Sequence, residues 1–384
     1  MTRIFFTVTN DLVHDQRMIR ICGSLAEAGY KVMLVGRQLK GSAELAQTPY
    51  DQHRIRCTFN KGFLFYAEFN LRLFFWMLSQ KTDVICAIDL DTILPCYLLS
   101  RIKKIPRVFD AHELFCEMKE VVRRPLVKKV WTAIEKFCVP RFENGYTVSG
   151  MIAAHYHRSY GVHYALIRNM PIDQHIPPAS QRGRFILYQG AVNEGRCFEQ
   201  LIPAMKWVKM PLYIYGDGNF VEQVRELIRA NGLEDRVFLK GKLLPVELPS
   251  LTRTAFIGIS LFDGSVMHNR YSLANRFFDF IQASVPQICS HFPAYRELND
   301  QFGVALMVEE HSSVNIAASL NKLIENELMY EEMVKNCQVA ARVLNWQHEV
   351  GSLIDFYKKL ENFGETFTRS MPGCTVSSRL RRRE

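Results

Sequence analysis

The sequence predicts an α/β protein built from two doubly wound, Rossmann-like domains that face each other across a cleft. Short apolar runs alternate with amphipathic segments along most of the chain, a pattern typical of a parallel sheet covered by helices on both faces. The alternation is interrupted at residues 169–183, where Pro171, Pro177 and Pro178 lie among polar neighbours and predict an interdomain linker. The 384 residues, 48% of them hydrophobic, suffice for two cores of ordinary domain size.

The first predicted domain spans residues 1–170. Its apolar runs predict strands at 4–9, 31–36, 83–88, 107–110 and 145–148. Between these strands, helical periodicity predicts helices at 16–28, 64–78, 92–102 and 127–142. Gly29 directly follows the first of these helices, where a glycine commonly ends a helix.

The second predicted domain spans residues 184–345. Its predicted strands are 184–189, 212–215, 237–239, 256–260, 287–290 and 305–308, with helices between most of them. A helix is expected at 346–361, and residues 364–384 are polar and basic enough to predict a disordered tail.

Composition limits the functional classes. The net charge of +9 is compatible with nucleic acid, an anionic membrane or a phosphorylated substrate. No aromatic-basic platform or zinc spacing supports nucleic acid. The ten cysteines form no C-x-x-C pair, and several lie in apolar runs, which favours reduced, buried thiols. The sequence shows no signal peptide and no apolar stretch of the ~18 residues needed to cross a membrane, so we expect a cytoplasmic protein.

Ligands of doubly wound sheets bind beyond the carboxyl ends of the strands, so the loops there are the candidate sites. The loop at 10–17 lacks G-x-G-x-x-G, which argues against a dinucleotide oxidoreductase. Asp15 and Arg17 in this loop lie next to His14. They either face a substrate, or Asp15 caps the following helix and Arg17 is a solvated side chain. Asp110, His112 and Glu113 follow another strand, where hydrogen bonding to a hydroxylated ligand is favoured over a metal held by His112 and Cys116.

Two glycine turns in the second half predict a phosphate site. The first contains Gly190, Gly195 and Arg196, and combines free backbone amides with a cation near a helix start. The second contains Gly216 and Gly218 and opens the next helix. Either turn alone is a weak signal, because glycine is common in such connections.

Two acidic features remain. Asn275 and Asp279 share one face of a mostly apolar helix, where a carboxylate could bind two ribose hydroxyls or lie on the surface. Asp89-Leu90-Asp91 looks like the D-x-D of metal-dependent sugar transferases, but it ends a strand of the first domain, so we interpret it as a loop and helix cap.

Together these segments resemble the retaining GT-B glycosyltransferases of the family-four type over residues 3–361. HDQRMIRICGSLAEAGYKVMLVG is similar to the opening of that family, FDAHE to its D-x-H-E segment and IYGDGN to its second glycine turn. LANRFFDFIQASVPQICS is similar to its signature helix, usually written with K-x-x-E and G-x-P-V. Residues 346–360 are similar to its final helix, which crosses back onto the first domain.

The resemblance implies a metal-independent, cofactor-free transferase with a UDP- or GDP-linked sugar as substrate and a glycan or lipid-linked acceptor. Asp279 would bind the ribose, Arg196 would neutralise the diphosphate, and His112 would contact the donor sugar. Further donor contacts are implied for Gly190, Gly216, Gly218, Tyr271, Ser272 and Asn275. Acceptor contacts are implied for Asp15, Arg17, Asp110 and Glu113.

Three departures from the family pattern bear on activity. Tyr271 stands where a second carboxylate is usual, eight residues before Asp279, and Asp263 or amides near Ser272 are the substitutes. Ala191 and Gly195 replace the usual cations, and Asp279 replaces a glutamate. A catalytically inactive nucleotide-sugar-binding relative and a sugar-nucleotide epimerase of the same fold therefore stay open as alternatives.

The aromatic segment at 62–80 predicts one of two arrangements. Its seven aromatic residues between Phe63 and Trp76 do not share one helical face. The segment is either a buried helix under the first sheet or a patch that rests on the inner face of an anionic membrane.

Overall fold

The computed structural model of the protein describes residues 1–13, 15–173, 182–244 and 246–369. His14 and the predicted linker residues 174–181 lie outside the described residues, as does the part of the predicted tail beyond residue 369. Two separate parallel sheets form the two predicted domains.

The first sheet has seven strands in the order β3-β2-β1-β4-β5-β6-β7, and every pair is parallel. The strands are β1 (Arg3–Thr7), β2 (Lys31–Gln38), β3 (Asp51–Arg56), β4 (Val84–Ile88), β5 (Arg107–Ala111), β6 (Asn144–Thr147) and β7 (Ala165–Leu166). The helices of this domain are α1 (Gln16–Glu27), α2 (Gly62–Ser79), α3 (Ile93–Lys103), α4 (Lys119–Val122), α5 (Pro125–Cys138) and α6 (Gly150–Tyr160).

The second sheet has six strands in the order β10-β9-β8-β11-β12-β13, again all parallel. The strands are β8 (Ile186–Gln189), β9 (Leu212–Tyr215), β10 (Val237–Gly241), β11 (Ile257–Ser260), β12 (Gln287–Ser290) and β13 (Ala305–Val308). The helices are α7 (Phe198–Ala204), α8 (Val221–Asn231), α9 (Leu248–Thr254), α10 (Met267–Tyr271), α11 (Asn275–Gln282), α12 (Pro293–Phe302), α13 (Ser313–Glu325) and α14 (Glu327–Ala341).

Strand order fixes where a ligand can bind. It reverses between β1 and β4 in the first sheet and between β8 and β11 in the second. At such a reversal the connecting helices leave to opposite faces of the sheet, and a crevice opens at the carboxyl ends of the strands. The loops that follow these strands are therefore the ones positioned to line a cleft.

The last helix, α15 (Trp346–Arg369), returns to the first domain. Its Trp346 indole donates a hydrogen bond to Ser24 Oγ on α1 at 2.9 Å. Tyr357 is buried against Phe6 and Tyr146 of the first sheet. The crossing helix of the family resemblance is thus present, and it continues past the predicted end at 361 into residues 364–369, which we predicted to be disordered.

Some elements have no counterpart in the sequence prediction. Edge strand β3 reads DQHRIR, and only Ile55 in it is buried, so it shows no apolar alternation. Strand β7 is two residues long. The helix predicted near Gly195 begins at Phe198.

The described cysteines are all free thiols, and all except Cys57 are buried. Along the described residues, no helix is both long enough and apolar enough to cross a bilayer.

Candidate functional site

A cleft of about 660 Å³ opens between the carboxyl edges of the two sheets. Seven of the predicted site residues line it: His112, Glu113, Gly190, Arg196, Ser272, Asn275 and Asp279. The first two come from the loop after β5, and the others come from the second domain, so the cleft has one wall from each domain.

Two arginines share one aromatic ring on the second-domain wall. The guanidinium carbon of Arg196 lies 4.3 Å from the ring centroid of Phe262, and that of Arg276 lies 4.5 Å from the same centroid. Burial, together with the charge of Arg276, lowers the pKa of Arg196. Within the described parts of the chain, no carboxylate forms an ion pair with either guanidinium. The two positive charges are thus available to a ligand anion.

The sequence prediction missed Arg276. It is buried at the start of α11, where Nη1 donates to Tyr188 Oη at 3.1 Å and Nη2 donates to the Leu261 carbonyl at 3.3 Å. These bonds fix the side chain beside Gly190, whose hypothetical Cβ would lie 3.5 Å from Arg276 Nη1. The signal available in the sequence was its position as the basic residue three before Asp279, which matches the K-x-x-E of the family pattern.

Asp279 is partly buried and lines the cleft. Its Oδ2 accepts a hydrogen bond from Gln189 Nε2 at 3.1 Å, and Gln189 Oε1 in turn accepts one from the Thr252 hydroxyl at 2.7 Å. Burial raises the pKa of Asp279 to about 6. The Thr252 bond orients the Gln189 amide so that its NH2 group faces Asp279. In the described part of the chain, no hydrogen bond is made to Asp279 Oδ1.

The two glycine turns differ in their role. Gly190 has φ +118° and lines the cleft, whereas Gly216 and Gly218 pack behind it and are not part of the lining. A Cβ at Gly216 would lie 1.8 Å from the Gly190 carbonyl oxygen, so only glycine allows this approach. Gly216 and Gly218 thus pack against the backbone of the loop that contains Gly190, and they do not contact the cleft themselves.

The first-domain wall presents His112 and Glu113. Burial, with the charge of Arg17 next, lowers the pKa of His112 to about 3, so its imidazole is neutral at physiological pH. Burial and the neighbouring Asp91 raise the pKa of Glu113 to about 7. This wall therefore offers a neutral imidazole and a carboxyl group that titrates near neutrality.

Asp89 is not part of the cleft lining, but it contacts both residues of this wall. From the sequence we interpreted it as part of a loop and helix cap. It precedes a 3₁₀ turn but its side chain makes no capping bond there. Instead Asp89 Oδ1 accepts from the Glu113 backbone N–H at 3.0 Å, and Oδ2 lies 3.9 Å from His112 Nδ1. Its φ of +54° is costly for a non-glycine residue. Asp91 accepts a hydrogen bond from the Thr9 hydroxyl.

Arg17 and Asp110, predicted to face the acceptor, lie beneath the cleft and do not line it. They form a bidentate pair, with Nη2–Oδ1 at 2.8 Å and Nε–Oδ2 at 3.0 Å, and both side chains are buried. The remaining Nη1 of Arg17 donates to the Ile167 carbonyl at 3.1 Å. All the polar atoms are thus satisfied within the protein. Asp15 caps α1 by accepting from the Met18 N–H at 3.1 Å, and it too is absent from the lining.

Tyr271 also lies outside the cleft lining, at the end of α10. Its carbonyl accepts from the Ser149 hydroxyl, which joins it to the first domain. Asp263, one of the two substitutes for the missing carboxylate, is bound to Lys119 at 2.7 Å.

His268 on α10 does line the cleft, and no hydrogen-bond partner is present for its buried Nδ1 in the described part of the chain. Burial lowers its pKa to about 4.

Within the described ranges, no group of three or more His, Cys, Asp or Glu side chains is arranged to hold a metal ion.

Solved structures confirm the fold. Sucrose-phosphate synthase from Thermosynechococcus elongatus aligns with a TM-score of 0.81 at 13% identity, over 94% of this chain and 100% of that chain. The HepE protein of Anabaena in complex with UDP and glucose aligns with a TM-score of 0.71 at 13% identity, over 97% and 100%. A glycosyltransferase from Rickettsia africae aligns with a TM-score of 0.69 at 11% identity, over 94% and 98%.

Family models cover both domains. The model described as Glycosyltransferase Family 4 matches residues 16–171, and the model described as Glycosyl transferases group 1 matches residues 171–340. No curated protein sequence matches the chain. The two matches meet at the linker and together span both walls of the cleft, and the chain therefore belongs to the GT-B glycosyltransferases of the family-four type.

Proposed function

We propose that the protein transfers a hexose from a UDP- or GDP-linked donor to a glycan or lipid-linked acceptor, with retention of configuration and without a metal. The observation that carries this proposal is the pair of guanidinium groups of Arg196 and Arg276 on Phe262, which have no ion-paired carboxylate in the described chain. A nucleoside diphosphate supplies the negative charge that such a pair lacks.

The donor site extends from these arginines to Asp279. The carboxylate of Asp279, with one oxygen held by Gln189, binds the vicinal hydroxyls of the ribose. The diphosphate then lies between the ribose and His112, against Arg196 and Arg276. Preorganised cations at the departing phosphate stabilise charge that grows as the glycosidic bond breaks, and they take the part that a metal has in other sugar transferases.

The reaction breaks the bond between the anomeric carbon and the phosphate oxygen and forms a bond from that carbon to the acceptor oxygen. The acceptor proton passes to the departing diphosphate on the same face of the sugar, which retains configuration. His112 contacts the donor sugar as a neutral hydrogen-bonding group, since its pKa lies far below neutrality. Glu113 accepts a hydrogen bond from the acceptor. The proposal of retention rests on the family resemblance.

We place the reaction in the cytoplasm, at the inner face of an anionic membrane where a lipid-linked acceptor is held. The positive net charge of the chain supports contact with such a surface.

A thermal-shift series with UDP, GDP and ADP tests the donor site. UDP comes first, because the structural neighbour from Anabaena is described in complex with UDP and with UDP-glucose. A nucleotide at about 100 times its Kd stabilises the native state by ~2.7 kcal/mol. No shift with any of the three nucleotides would contradict the proposed donor site.

A panel of nucleotide sugars then separates the transferase from its alternatives. Nucleotide release that needs an acceptor supports the transferase. A changed sugar without acceptor would show an epimerase, and binding without turnover would show an inactive relative.

A further inference from the structure

Three adjacent helices cover one face of the first sheet. They are α2, α3 and α5, and their buried residues belong to one hydrophobic core. Ring contacts join their outer parts: Tyr66 to Trp131 at 5.1 Å and Tyr97 to Phe137 at 5.4 Å between ring centroids. Together the helices form a continuous surface, which we call the three-helix face.

The three-helix face carries a second set of apolar side chains that points away from the core. Of the 23 large apolar side chains that are exposed in the described chain, five lie on α2, three on α3 and four on α5. On α2 the exposed Leu71, Phe75 and Leu78 follow helical spacing on the side opposite the buried Phe69, Leu73 and Met77. More than half of the exposed apolar side chains are thus concentrated on one surface, which marks an interaction site.

The charge of this surface is positive. The three helices contain six cationic residues and two acidic residues. One of the two acids, Glu135, is buried and bonded to the Tyr160 hydroxyl at 2.9 Å, so it does not contribute to the outer surface. The other, Glu68, is paired with Arg72. Lys128 is paired with Glu117, which lies outside these helices. Arg101, Lys103, Lys129 and Lys136 form no ion pair in the described part of the chain, so the three-helix face keeps an excess of positive charge.

The most exposed of these apolar side chains lie at the carboxyl edge of the first sheet. Phe63 is 76% exposed in the first turn of α2, and Leu126 is 81% exposed in the first turn of α5. Both helices begin at the carboxyl edge of the sheet, because each connects from the end of one parallel strand to the start of the next. The cleft opens along that same edge.

We propose that the three-helix face docks on an anionic lipid bilayer. Its apolar side chains enter the boundary between headgroups and acyl chains, and the lysines and arginines contact the lipid phosphates. This orientation brings the cleft mouth to the bilayer surface. If the acceptor is lipid-linked, as proposed above, it reaches the cleft without leaving the membrane, but docking itself does not depend on that function.

The structure shows that the segment at 62–80 is buried on one side and exposed on the other, which bears on both arrangements predicted from its sequence. One stripe of α2 is buried under the sheet, and the opposite stripe faces solvent. Phe74 is packed against the core, so replacing Phe74 together with Phe75 disturbs folding as well as docking. Phe63 and Leu126 are the better positions for a test, because neither contributes to the core.

Vesicle sedimentation with the full chain tests the proposal. The probes are vesicles of phosphatidylcholine alone and vesicles in which roughly one lipid in four is phosphatidylglycerol. We expect the protein to pellet with the anionic vesicles and to be released by salt, because screening weakens the charge contacts. Phe63→Ser combined with Leu126→Ser should weaken binding by about tenfold or more.

The matched control is Val246→Ser combined with Leu328→Ser, which removes side chains that are 80% and 82% exposed on the second domain. This control should bind anionic vesicles like the parent. Lys129→Glu combined with Lys136→Glu, at exposed positions of α5, should reduce binding and its salt dependence. Unchanged circular dichroism and melting temperature show that each variant is folded.

Several results would overturn the proposal. The parent protein could stay in the supernatant with anionic vesicles at low salt, or it could bind both kinds of vesicle equally. The Val246/Leu328 control variant could also lose as much vesicle binding as the Phe63/Leu126 variant. If the parent self-associates without lipid and the Phe63/Leu126 variant does not, the three-helix face is a contact between copies of the chain. UDP binding, measured separately, reports on the donor site and is expected to be the same in all these variants.

Discussion

Lys119 of the first domain donates a hydrogen bond to Asp263 of the second domain, with Nζ and Oδ2 2.7 Å apart. Lys119 Nζ also lies 3.2 Å from Glu194 Oε1, and Arg123 forms a bidentate pair with the same Glu194 carboxylate. These ion pairs join the two domains. Glu194 precedes Arg196 by two residues, so the pairs also tie the loop of Arg196 to the first domain.

Breaking these interdomain ion pairs should weaken donor binding. Lys119→Ala combined with Arg123→Ala should raise the donor KM by about two- to tenfold, since solvent-exposed ion pairs contribute only modestly. The parent KM should rise with salt, and the KM of the variant should respond less. Lys128→Ala is the control, because Lys128 pairs with Glu117 inside the first domain at 2.8 Å. Equal donor KM values for parent and double variant would contradict this role.

Arg196 should stabilise the leaving diphosphate. Arg196→Ala should lower turnover by ~10²-fold or more, the effect of removing one preorganised charge stabiliser. Steady-state kinetics with a fixed acceptor measure it. Arg225→Ala removes an exposed arginine from α8 and should leave turnover unchanged. A folded Arg196→Ala protein with parent kinetics would refute the assignment.

Asp279 should bind the ribose through its carboxylate. Asp279→Asn keeps the shape but accepts weaker hydrogen bonds from hydroxyl groups, so nucleotide affinity should fall by ~1.5–3 kcal/mol in titration calorimetry. Equal affinities for mutant and parent would show that Asp279 does not bind the nucleotide.

The raised pKa of Asp279 also predicts how the stability of the Asp279→Asn variant, relative to the parent, depends on pH. Burial raises that pKa to about 6, above the ordinary aspartate value of 3.8, so the folded state holds the proton more tightly than the unfolded state. Its contribution to stability is therefore present at low pH and is lost as pH rises from about 4 to about 6. Asp279→Asn removes this loss and should be more stable than the parent at pH 7, by up to ~3 kcal/mol. Chemical denaturation at pH 4 and pH 7 measures the difference, and an equal gain at both values would contradict the argument.

Glu113 should make acceptor binding depend on pH. Its pKa of about 7 means that the carboxyl group loses its proton as the pH rises through neutrality. We expect the acceptor KM to fall as the pH rises through 7, because an ionised carboxylate accepts the stronger hydrogen bond. Glu113→Gln should raise the acceptor KM and remove this dependence, with the donor KM unchanged. A pH profile that is the same in the variant would exclude Glu113 from acceptor binding.

The buried pair of Arg17 and Asp110 should matter for folding. Arg17→Met leaves the Asp110 carboxylate buried without its partner, and such a loss costs ~3–5 kcal/mol. Adding Asp110→Asn should restore part of this stability. The control is Arg72→Met, which breaks a pair with Glu68 at the surface of α2 and should have a much smaller effect on stability. A small loss in Arg17→Met, measured by urea unfolding, would contradict the structural role.

Local sequence patterns were sufficient to predict the two-domain fold, because buried parallel strands are continuous apolar runs and each of these runs contributes its own local signal. They also marked the loops of His112 and Arg196, which follow predicted strands, and the helix of Asp279 as separate candidates. The family resemblance then implied that all three residues belong to one site. Only the tertiary structure brought Arg276 beside Arg196, because the ring of Phe262 that both contact comes from a third segment. The burial of Arg17 against Asp110 likewise depends on packing between α1 and β5, and the cationic, apolar three-helix face depends on which side of each helix the sheet covers. The sequence of a single helix shows the spacing of its apolar residues. It does not show which side of the helix is buried, because the residues that pack against that side are distant in sequence.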